Sequence, residues 1–199
     1  MAKLVNWHTF ERKIKEKRIL LFSAIDICRL FGATKTTVNL LLHRYEKKGF
    51  IVRVKRGLYL LPDASPPDLF IANMLCEPSY VSLECALSYH RVIPETVYEI
   101  TSVTPNSTRR FETLGKIFSY RSIKKSAFTG YKTEQEKGFG FHVADPEKAF
   151  VDANYFRLWD GGNPISRFDR EKIDLKKALH YARLFNTAQL EEIIQSALQ

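Results

Sequence analysis

The stretch SAIDICRLFGATKTTVNLLLHRYEKKG, residues 23–49, has the pattern of two short helices joined by a glycine turn. Ser23 is followed three positions later by Asp26, which is the spacing of a capping box at the start of a helix. Gly32 predicts the end of that helix, because a tight turn needs a residue that readily adopts a positive φ. Thr34 then predicts the cap of a second helix.

Each of the two predicted helices carries one apolar stripe at helical spacing. The stripe of the first helix consists of Ala24, Ile27, Cys28 and Phe31. The stripe of the second helix consists of Val38, Leu41, Leu42 and Tyr45. Because both stripes must face a core, the opposite face of the second helix must face solvent. That outward face consists of Lys35, Thr36, Asn39, Leu40 and His43.

Two β-rich runs follow the second helix. Phe50–Val54 and Gly57–Leu61 are joined by Lys55 and Arg56, and this pattern predicts a hairpin with a basic tip. The order of helix, glycine turn, helix and hairpin is that of a winged helix-turn-helix module. The sequence therefore predicts this fold for the N-terminal part of the chain.

The charge of the chain is unevenly distributed. Overall, 31 Lys and Arg residues against 22 Asp and Glu give a net charge of +9. Residues 1–61 contain 14 Lys and Arg against 4 Asp and Glu, whereas residues 62–199 contain 17 against 18. So much local positive charge attracts polyanions, and counterion release favours nucleic acid as the partner. The alternative is a basic face that only improves solubility.

In a winged helix-turn-helix module the second helix enters the major groove of DNA. There an Asn side chain can bond adenine bidentately, and a Leu can touch a thymine methyl group. The N-terminus of a helix suits a phosphate, and a basic hairpin tip can reach the DNA backbone or minor groove. We therefore expect double-stranded DNA as a partner. The predicted DNA-binding residues are Ser23, Thr34, Lys35, Thr36, Asn39, His43, Lys55 and Arg56.

The run Leu61–Asp68 contains three prolines, which end helices and central strands. It coincides with the change in charge. We therefore predict a winged helix-turn-helix domain over residues 1–64 and a mixed α+β domain over residues 65–199. Ser82 and Asp145 predict helix caps in the second domain, and two amphipathic helices close the chain. Its predicted strands are Val97–Thr104, Lys116–Arg121 and Gly138–Val143.

Candidate catalytic groups in the second domain have simpler interpretations. Asp145, Glu147 and Asp152 resemble a carboxylate cluster for a metal, but a helix N-terminus favours negative charge at the first two positions anyway. Tyr89 and His90 could supply an acid or a base, yet no nucleophile or partner accompanies them. The sequence therefore predicts no catalytic residue, no enzyme, no metal and no cofactor.

A second basic group lies in the C-terminal domain. If the strands pair in the order of the sequence, a possible second nucleic-acid patch arises; the alternative, which we favour, is a solvated loop. Its residues are Arg109, Arg110, Arg121, Lys124 and Lys125.

The cysteines and the apolar runs bear on the cellular compartment. Cys28, Cys76 and Cys85 are odd in number and scattered, which is typical of buried thiols in a reducing compartment. No apolar run reaches the roughly 20 residues of a membrane span, and the N-terminus lacks the pattern of a signal peptide. We expect a cytoplasmic protein with no membrane partner.

Two segments behind the predicted winged helix have distinctive sequences. The first is YVSLECALSYH, residues 80–90, which continues through Ile93–Glu95 and Tyr98–Thr104. The second is HVADPEKAFVD, residues 142–152. In this order they resemble the conserved core of the AbiEi-type antitoxins, a family of abortive-infection (type IV toxin–antitoxin) antitoxins and transcriptional regulators. The resemblance spans residues 20–158.

The resemblance implies an antitoxin of a bicistronic toxin–antitoxin operon that acts in phage defence. It implies that the winged helix binds inverted repeats in the promoter of its own operon and represses transcription. It also implies that the C-terminal domain counters a cognate nucleotidyltransferase-like toxin, with or without direct contact. It carries over no catalytic residue.

Two other functions stay open at the level of the sequence. One is a stand-alone winged-helix transcriptional regulator whose C-terminal domain senses a ligand or a partner. The other is an enzyme that the winged helix delivers to nucleic acid. A nucleotidyltransferase-like reading frame directly downstream would favour the antitoxin over the regulator. Loss of activity in Asp145→Asn or Asp152→Asn protein that still folds would favour the enzyme.

Overall fold

The computed structural model describes residues 6–199, so the first five residues of the predicted N-terminal domain lie outside the described part. The chain divides into two compact units, residues 1–66 and residues 67–199. The division falls within the proline-rich run. Both units mix helices and β-strands, and the fold is of the α+β class.

The described part of the N-terminal unit contains three helices and one small antiparallel sheet. Its strands lie in the order β1-β3-β2, and Leu60 of the central strand pairs with Leu21 on one side and Val52 on the other. β1 was not predicted, because it is three residues long and is defined only by its distant partner. The elements are α1 (Trp7–Glu16), β1 (Leu21–Ser23), α2 (Ala24–Phe31), α3 (Lys35–Lys47), β2 (Val52–Lys55) and β3 (Leu58–Leu60).

The turn between α2 and α3 has the local structure that the sequence predicts. The backbone N–H of Ser23 donates to Asp26 Oδ2 at 2.8 Å, and the Ser23 hydroxyl accepts from the Asp26 N–H, which completes a capping box. Gly32 ends α2 with φ 62°, a left-handed conformation that costs glycine little. Thr34 Oγ1 caps α3 by accepting from the Thr37 N–H at 3.4 Å. The predicted caps and the predicted turn glycine are confirmed.

The core of the N-terminal unit is rich in aromatic rings. Phe10 is completely buried, and its ring centroid lies 5.2 Å from that of Tyr45 and 5.6 Å from that of Phe22. The apolar stripe of α3 packs into the same core, so its four predicted members are buried as expected. Such burial supplies most of the stability of a short amphipathic helix, and it fixes which face of α3 points outward.

The described C-terminal unit is built on a six-stranded mixed sheet with the order β6-β7-β5-β4-β9-β8. β5 runs parallel to β7 and β4 runs parallel to β9, while the other neighbours are antiparallel. Its strands are β4 (Tyr80–Val81), β5 (Glu99–Thr104), β6 (Arg109–Thr113), β7 (Lys116–Ser122), β8 (Tyr131–Glu136) and β9 (Phe139–Ala144). Its helices are α4 (Asp68–Leu75), α5 (Leu83–Tyr89), α6 (Pro146–Trp159), α7 (Leu175–Arg183) and α8 (Ala188–Leu198).

The three predicted strands correspond to β5, β7 and β9, whereas β4, β6 and β8 were not predicted. β6 and β8 are the two edges of the sheet, and their side chains are mostly exposed and polar. Edge strands commonly carry charges that prevent pairing with other chains, so the apolar alternation that reveals a strand is missing. β4 is only two residues long, too short for any periodicity.

The helix caps of this unit divide into one correct and one wrong prediction. Asp145 caps α6, since its Oδ1 accepts from the Lys148 N–H at 2.9 Å, and Pro146 occupies the first turn. Ser82 stands at the N-terminus of α5 but makes no side-chain cap. Its hydroxyl instead donates to Asp152 Oδ2 at 2.8 Å. A long-range buried carboxylate has replaced the local cap.

Candidate nucleic-acid interface

The outward face of α3 is a continuous exposed surface of polar and basic side chains. Lys35, Thr36, Asn39 and His43 are all exposed. Leu40 lies among them with 62% of its surface exposed, which is unusual for a leucine with a core nearby. The face therefore offers a cation, an amide, an imidazole and an apolar group on one rigid helix, the combination that reads base edges in a major groove.

The two helix N-termini of this unit differ in what they leave available. Thr34 is exposed, and its hydroxyl bonds that of Thr37 at 2.9 Å. Ser23 is half-buried, and its hydroxyl donates to Asp26 Oδ2 at 2.7 Å. The Ser23 hydroxyl therefore both donates and accepts a hydrogen bond within the capping box. Ser23 is a fold-determining residue first, and Thr34 is the better candidate for contact with a phosphate.

The basic tip of the hairpin lies where the sequence predicts it. β2 ends at Lys55 and β3 begins at Leu58, so Arg56 stands in the turn between them. Arg56 is exposed, while Lys55 is only half exposed. Gly57 follows with φ 81° and keeps the turn tight. The structure therefore presents one fully exposed arginine at the tip.

Several cations of the N-terminal unit are already paired within the unit. Lys15 Nζ lies 2.7 Å from Asp63 Oδ2, and the hydrogen bond to Asp63 raises the pKa of Lys15 to about 12. Arg53 approaches Glu46 at 3.6 Å and joins β2 to α3. Lys35 and Arg56, in contrast, make no ion pair with another residue of the described chain. Their charges are therefore available to an external anion.

The structure adds two residues to the predicted set. Ile25 is 52% exposed near the N-terminus of α2, and Arg29 is exposed one turn later on the same helix. Residues four apart share a helix face, so one apolar and one basic side chain are exposed together on α2. The sequence contained this information, since the apolar stripe of α2 leaves positions 25 and 29 outside it.

Two of the five residues in the predicted second basic patch form ion pairs with carboxylates of the same unit. Arg110 Nη1 lies 2.6 Å from Glu112 Oε1. The Arg121 guanidinium donates to both carboxylate oxygens of Asp160 at 2.9 Å and lies 4.5 Å above the Phe156 ring. The Lys124 ammonium donates to the Phe185 carbonyl, while Arg109 and Lys125 are exposed. Arg109, Arg110 and Arg121 lie on the paired strands β6 and β7, so the favoured alternative of a solvated loop is wrong for these three residues.

The carboxylates that resemble a metal site are bonded to groups of the protein itself. Asp152 is completely buried and accepts from the Lys148 ammonium, the Tyr80 hydroxyl at 3.0 Å and the Ser82 hydroxyl. Burial disfavours both charges of the pair, so it raises the pKa of Asp152 and lowers that of Lys148. Both members of this ion pair lie on α6, and the hydrogen bond from Tyr80 to Asp152 joins that helix to β4.

A second carboxylate group lies at the N-terminus of α6. Lys177 Nζ lies 2.9 Å from Asp145 and 2.7 Å from Glu147, and the Tyr181 hydroxyl donates to Asp145 at 2.8 Å. Burial and the bond to Asp145 raise the pKa of Tyr181 to about 12. Within residues 6–199, no group of three or more His, Cys, Asp or Glu side chains is arranged to hold a metal ion.

His90 has a packing role in the structure. Its Nε2 lies 2.8 Å from the Ala144 carbonyl, and its ring meets the Tyr89 ring edge-on. Tyr89 in turn packs against Phe141. Both candidate acid–base residues therefore take part in joining α5 to β9.

The comparisons with known proteins give no relative from which a function could be transferred. No protein-family model matches the chain, and no curated protein matches it. None of the helices in the described residues is long and apolar enough to cross a membrane.

Proposed function

We propose that the N-terminal unit is a winged helix-turn-helix module that binds double-stranded DNA, with α3 in the major groove. The observation that carries the proposal is the outward face of α3, where Lys35 has no ion-pair partner among the described residues and is exposed beside Asn39 and His43. The hairpin with Arg56 at its tip supplies the wing. The concentration of positive charge in residues 1–61 supports the same partner.

The predicted contacts fall into two kinds. Lys35, Arg56 and the N-terminus of α3 at Thr34 contact phosphates, which position the protein without reading sequence. Asn39 and Leu40 read base edges, with adenine and the thymine methyl group as the matching partners. The apolar exposure of Ile25 and Leu40 supports an operator rich in A·T pairs.

We further propose that the chain is an AbiEi-type antitoxin that represses its own operon and counters a nucleotidyltransferase-like toxin. The support for this finer proposal is the resemblance of residues 80–104 and 142–152 to that family. Both segments belong to the C-terminal unit, and the second contains the buried Lys148–Asp152 pair. The promoter of the operon, with its inverted repeats, is the expected DNA partner.

DNA binding is tested by gel shift with the DNA upstream of the gene. We expect the double variant Lys35→Ala/Arg56→Ala to bind much more weakly than wild type. Lys176→Ala is the matched control, because Lys176 is an exposed lysine in the first turn of α7 in the other unit. Equal binding by all three proteins would contradict the proposed interface.

Antitoxin activity is tested by co-expression with the gene directly downstream. We expect the full-length protein to restore growth, and the double variant Lys35→Ala/Arg56→Ala to restore growth while losing promoter repression. If the double variant loses both promoter repression and growth rescue, the antitoxin activity depends on DNA binding. If the downstream gene is not toxic, the chain is a stand-alone regulator.

A further inference from the structure

A cavity of about 510 Å³ opens between α4 and the β8–β9 pair of the C-terminal unit. This volume lies within the range of about 300–1,000 Å³ that is usual for small-molecule sites. The cavity is separate from the candidate DNA-binding surface, because its lining residues all belong to residues 67–199. Neither the proposed DNA binding nor the proposed antitoxin activity makes use of it.

Four of the ten residues that line this cavity carry aromatic rings. These residues are Phe70, Phe128, Tyr131 and His142. Tyr131 is fixed from behind by Tyr80, with ring centroids 4.8 Å apart and planes 17° from parallel, and it is flanked by His142 at 5.5 Å. Rings held in place by their neighbours form flat apolar surfaces, which suit stacking with a flat ligand.

One buried amide in the cavity wall lacks a partner. Asn73 is 8% exposed, and its Oδ1 accepts from the backbone N–H of His142. Its Nδ2 is buried and makes no hydrogen bond with any described residue. Buried polar groups in proteins are nearly always paired. The nitrogen is covered in this structure, and it would gain its missing hydrogen bond if the side chain turned toward a ligand acceptor in the cavity.

The charge of the lining excludes an anionic ligand group at its walls. Glu77 is the charged residue among the described lining, and no Lys or Arg accompanies it. A phosphate group in the cavity would therefore be repelled by the Glu77 carboxylate, and no basic lining residue would compensate. An amino group on an uncharged ring would instead find an acceptor at Glu77.

The missing side chain at Gly140 keeps the cavity open. A Cβ at this position would meet Thr133 Cγ2 at 3.5 Å, an ordinary contact, and the backbone there does not need glycine for its φ. Gly140 and His142 alternate with buried Phe141 on β9, so they share one face of the strand. A larger residue at position 140 is thus compatible with the fold but fills the cavity.

We propose that this cavity binds an uncharged nitrogen heterocycle of the purine type. The ring stacks between the aromatic walls, a ring nitrogen or carbonyl accepts from Asn73 Nδ2, and an exocyclic amino group donates to Glu77. Such a ring can come from a free nucleoside or from an unpaired base of a single-stranded nucleic acid. The proposal goes beyond the function proposed above and does not depend on it.

The test is isothermal titration of the full chain with adenosine and guanosine, and with their 5′-monophosphates. We expect a nucleoside to bind with one site per chain, and the monophosphate to bind more weakly because of Glu77. A short single-stranded oligonucleotide forms the second arm. The unpaired base is the source if the oligonucleotide binds more tightly than the nucleosides and Gly140→Leu removes this additional affinity.

Three variants connect binding to the cavity. Gly140→Leu should abolish nucleoside binding, and Asn73→Asp, which keeps the acceptor but removes the donor, should weaken it by about tenfold or more. Gln135→Leu is the matched control, because Gln135 pairs with Gly140 in the sheet but does not line the cavity. Glu77→Gln changes an exposed residue, so it can be measured even if the other variants fail to fold. It should raise the affinity for the monophosphate to that for the nucleoside.

Two results would overturn the proposal. One is that neither nucleoside binds at millimolar concentration and that the oligonucleotide shows no binding that Gly140→Leu removes. The other is binding that is unchanged in folded Gly140→Leu and Asn73→Asp proteins, with thermal unfolding of each variant used to show that it is folded.

Discussion

In the N-terminal unit, Lys35 and Arg56 are exposed and have no carboxylate partner among residues 6–199, whereas in the C-terminal unit Lys148 is completely buried against Asp152. Arg121 and Arg110 of the second unit are also paired, each with a neighbouring carboxylate. Both units contain many basic residues, but residues 1–61 contain 14 Lys and Arg against 4 Asp and Glu, whereas residues 62–199 contain 17 against 18. The difference is in where the compensating negative charge lies.

This comparison shows how the same residue type can serve two purposes. A buried cation must be neutralised by the protein, because its desolvation is otherwise too costly. It then fixes the arrangement of the elements that contribute its partners. An exposed, unpaired cation costs little in water and retains its attraction for an external polyanion. The predictions below test this contrast, in order of decreasing effect.

Removal of one member of the buried pair should have the largest effect. Lys148→Met leaves the Asp152 carboxylate buried without its cation, and we expect a loss of about 3–5 kcal/mol in the free energy of unfolding. Urea unfolding of the full chain measures this loss. The control Glu112→Gln breaks an exposed pair and should change stability by less than about 0.5 kcal/mol.

The double variant Lys148→Met/Asp152→Leu sharpens the same prediction. With both charges gone, we expect it to be more stable than Lys148→Met, because no uncompensated charge remains buried. A Lys148→Met protein that is as stable as wild type would show that the buried Asp152 does not need this cation.

Asn39→Ala should reduce the discrimination between operator sequences. A bidentate contact with adenine contributes about 1–3 kcal/mol of specificity, so the variant should bind the operator and a single-base substitute more equally. Competition gel shifts with the two DNAs measure the ratio. Gln189→Ala, an exposed amide residue on α8, should leave the ratio unchanged.

Lys35→Ala and Arg56→Ala should each change the salt dependence of DNA binding. Removal of one phosphate contact lowers the slope of log affinity against log salt concentration by about 1 and weakens binding to all sequences alike. Fluorescence anisotropy over a series of salt concentrations gives the slope. An unaltered slope in both variants, with Lys176→Ala as control, would assign the interface to another surface.

The exposed Arg121–Asp160 pair should give the smallest effect. The hydrogen bond from Arg121 holds the pKa of Asp160 below its ordinary value. In Arg121→Gln we expect this pKa to rise toward the ordinary value, as followed by NMR titration. A depressed carboxyl pKa stabilises the fold at pH values above the ordinary pKa, which include neutral pH. Because the pair is exposed, this contribution is small, and stability at neutral pH should change little. DNA affinity should stay as in wild type.

The sequence predicted the elements that depend on local chemistry. Ser23, Gly32, Thr34 and Asp145 take the structural positions that their types favour, because caps and tight turns are decided within a few residues. The outward face of α3 followed from its apolar stripe in the same way. In the sheet of the second unit, apolar runs predicted the strands β5, β7 and β9. The polar edge strands β6 and β8 were not predicted.

What the tertiary structure alone decided is the set of partners that are distant in sequence. Ser82 bonds Asp152 instead of capping its own helix, Arg121 pairs with Asp160, and Asn73 reaches the backbone of His142. The sequence fixes the spacing of residues along a helix or strand, and short-range periodicity therefore determined the exposed face of α3. It contains no local sign of which strands become neighbours, so the bonds of Tyr80 and Ser82 to Asp152 and the lining of the cavity are decided only in the folded chain. The Lys148–Asp152 pair itself follows helical i,i+4 spacing, and the tertiary structure decides only that it is buried.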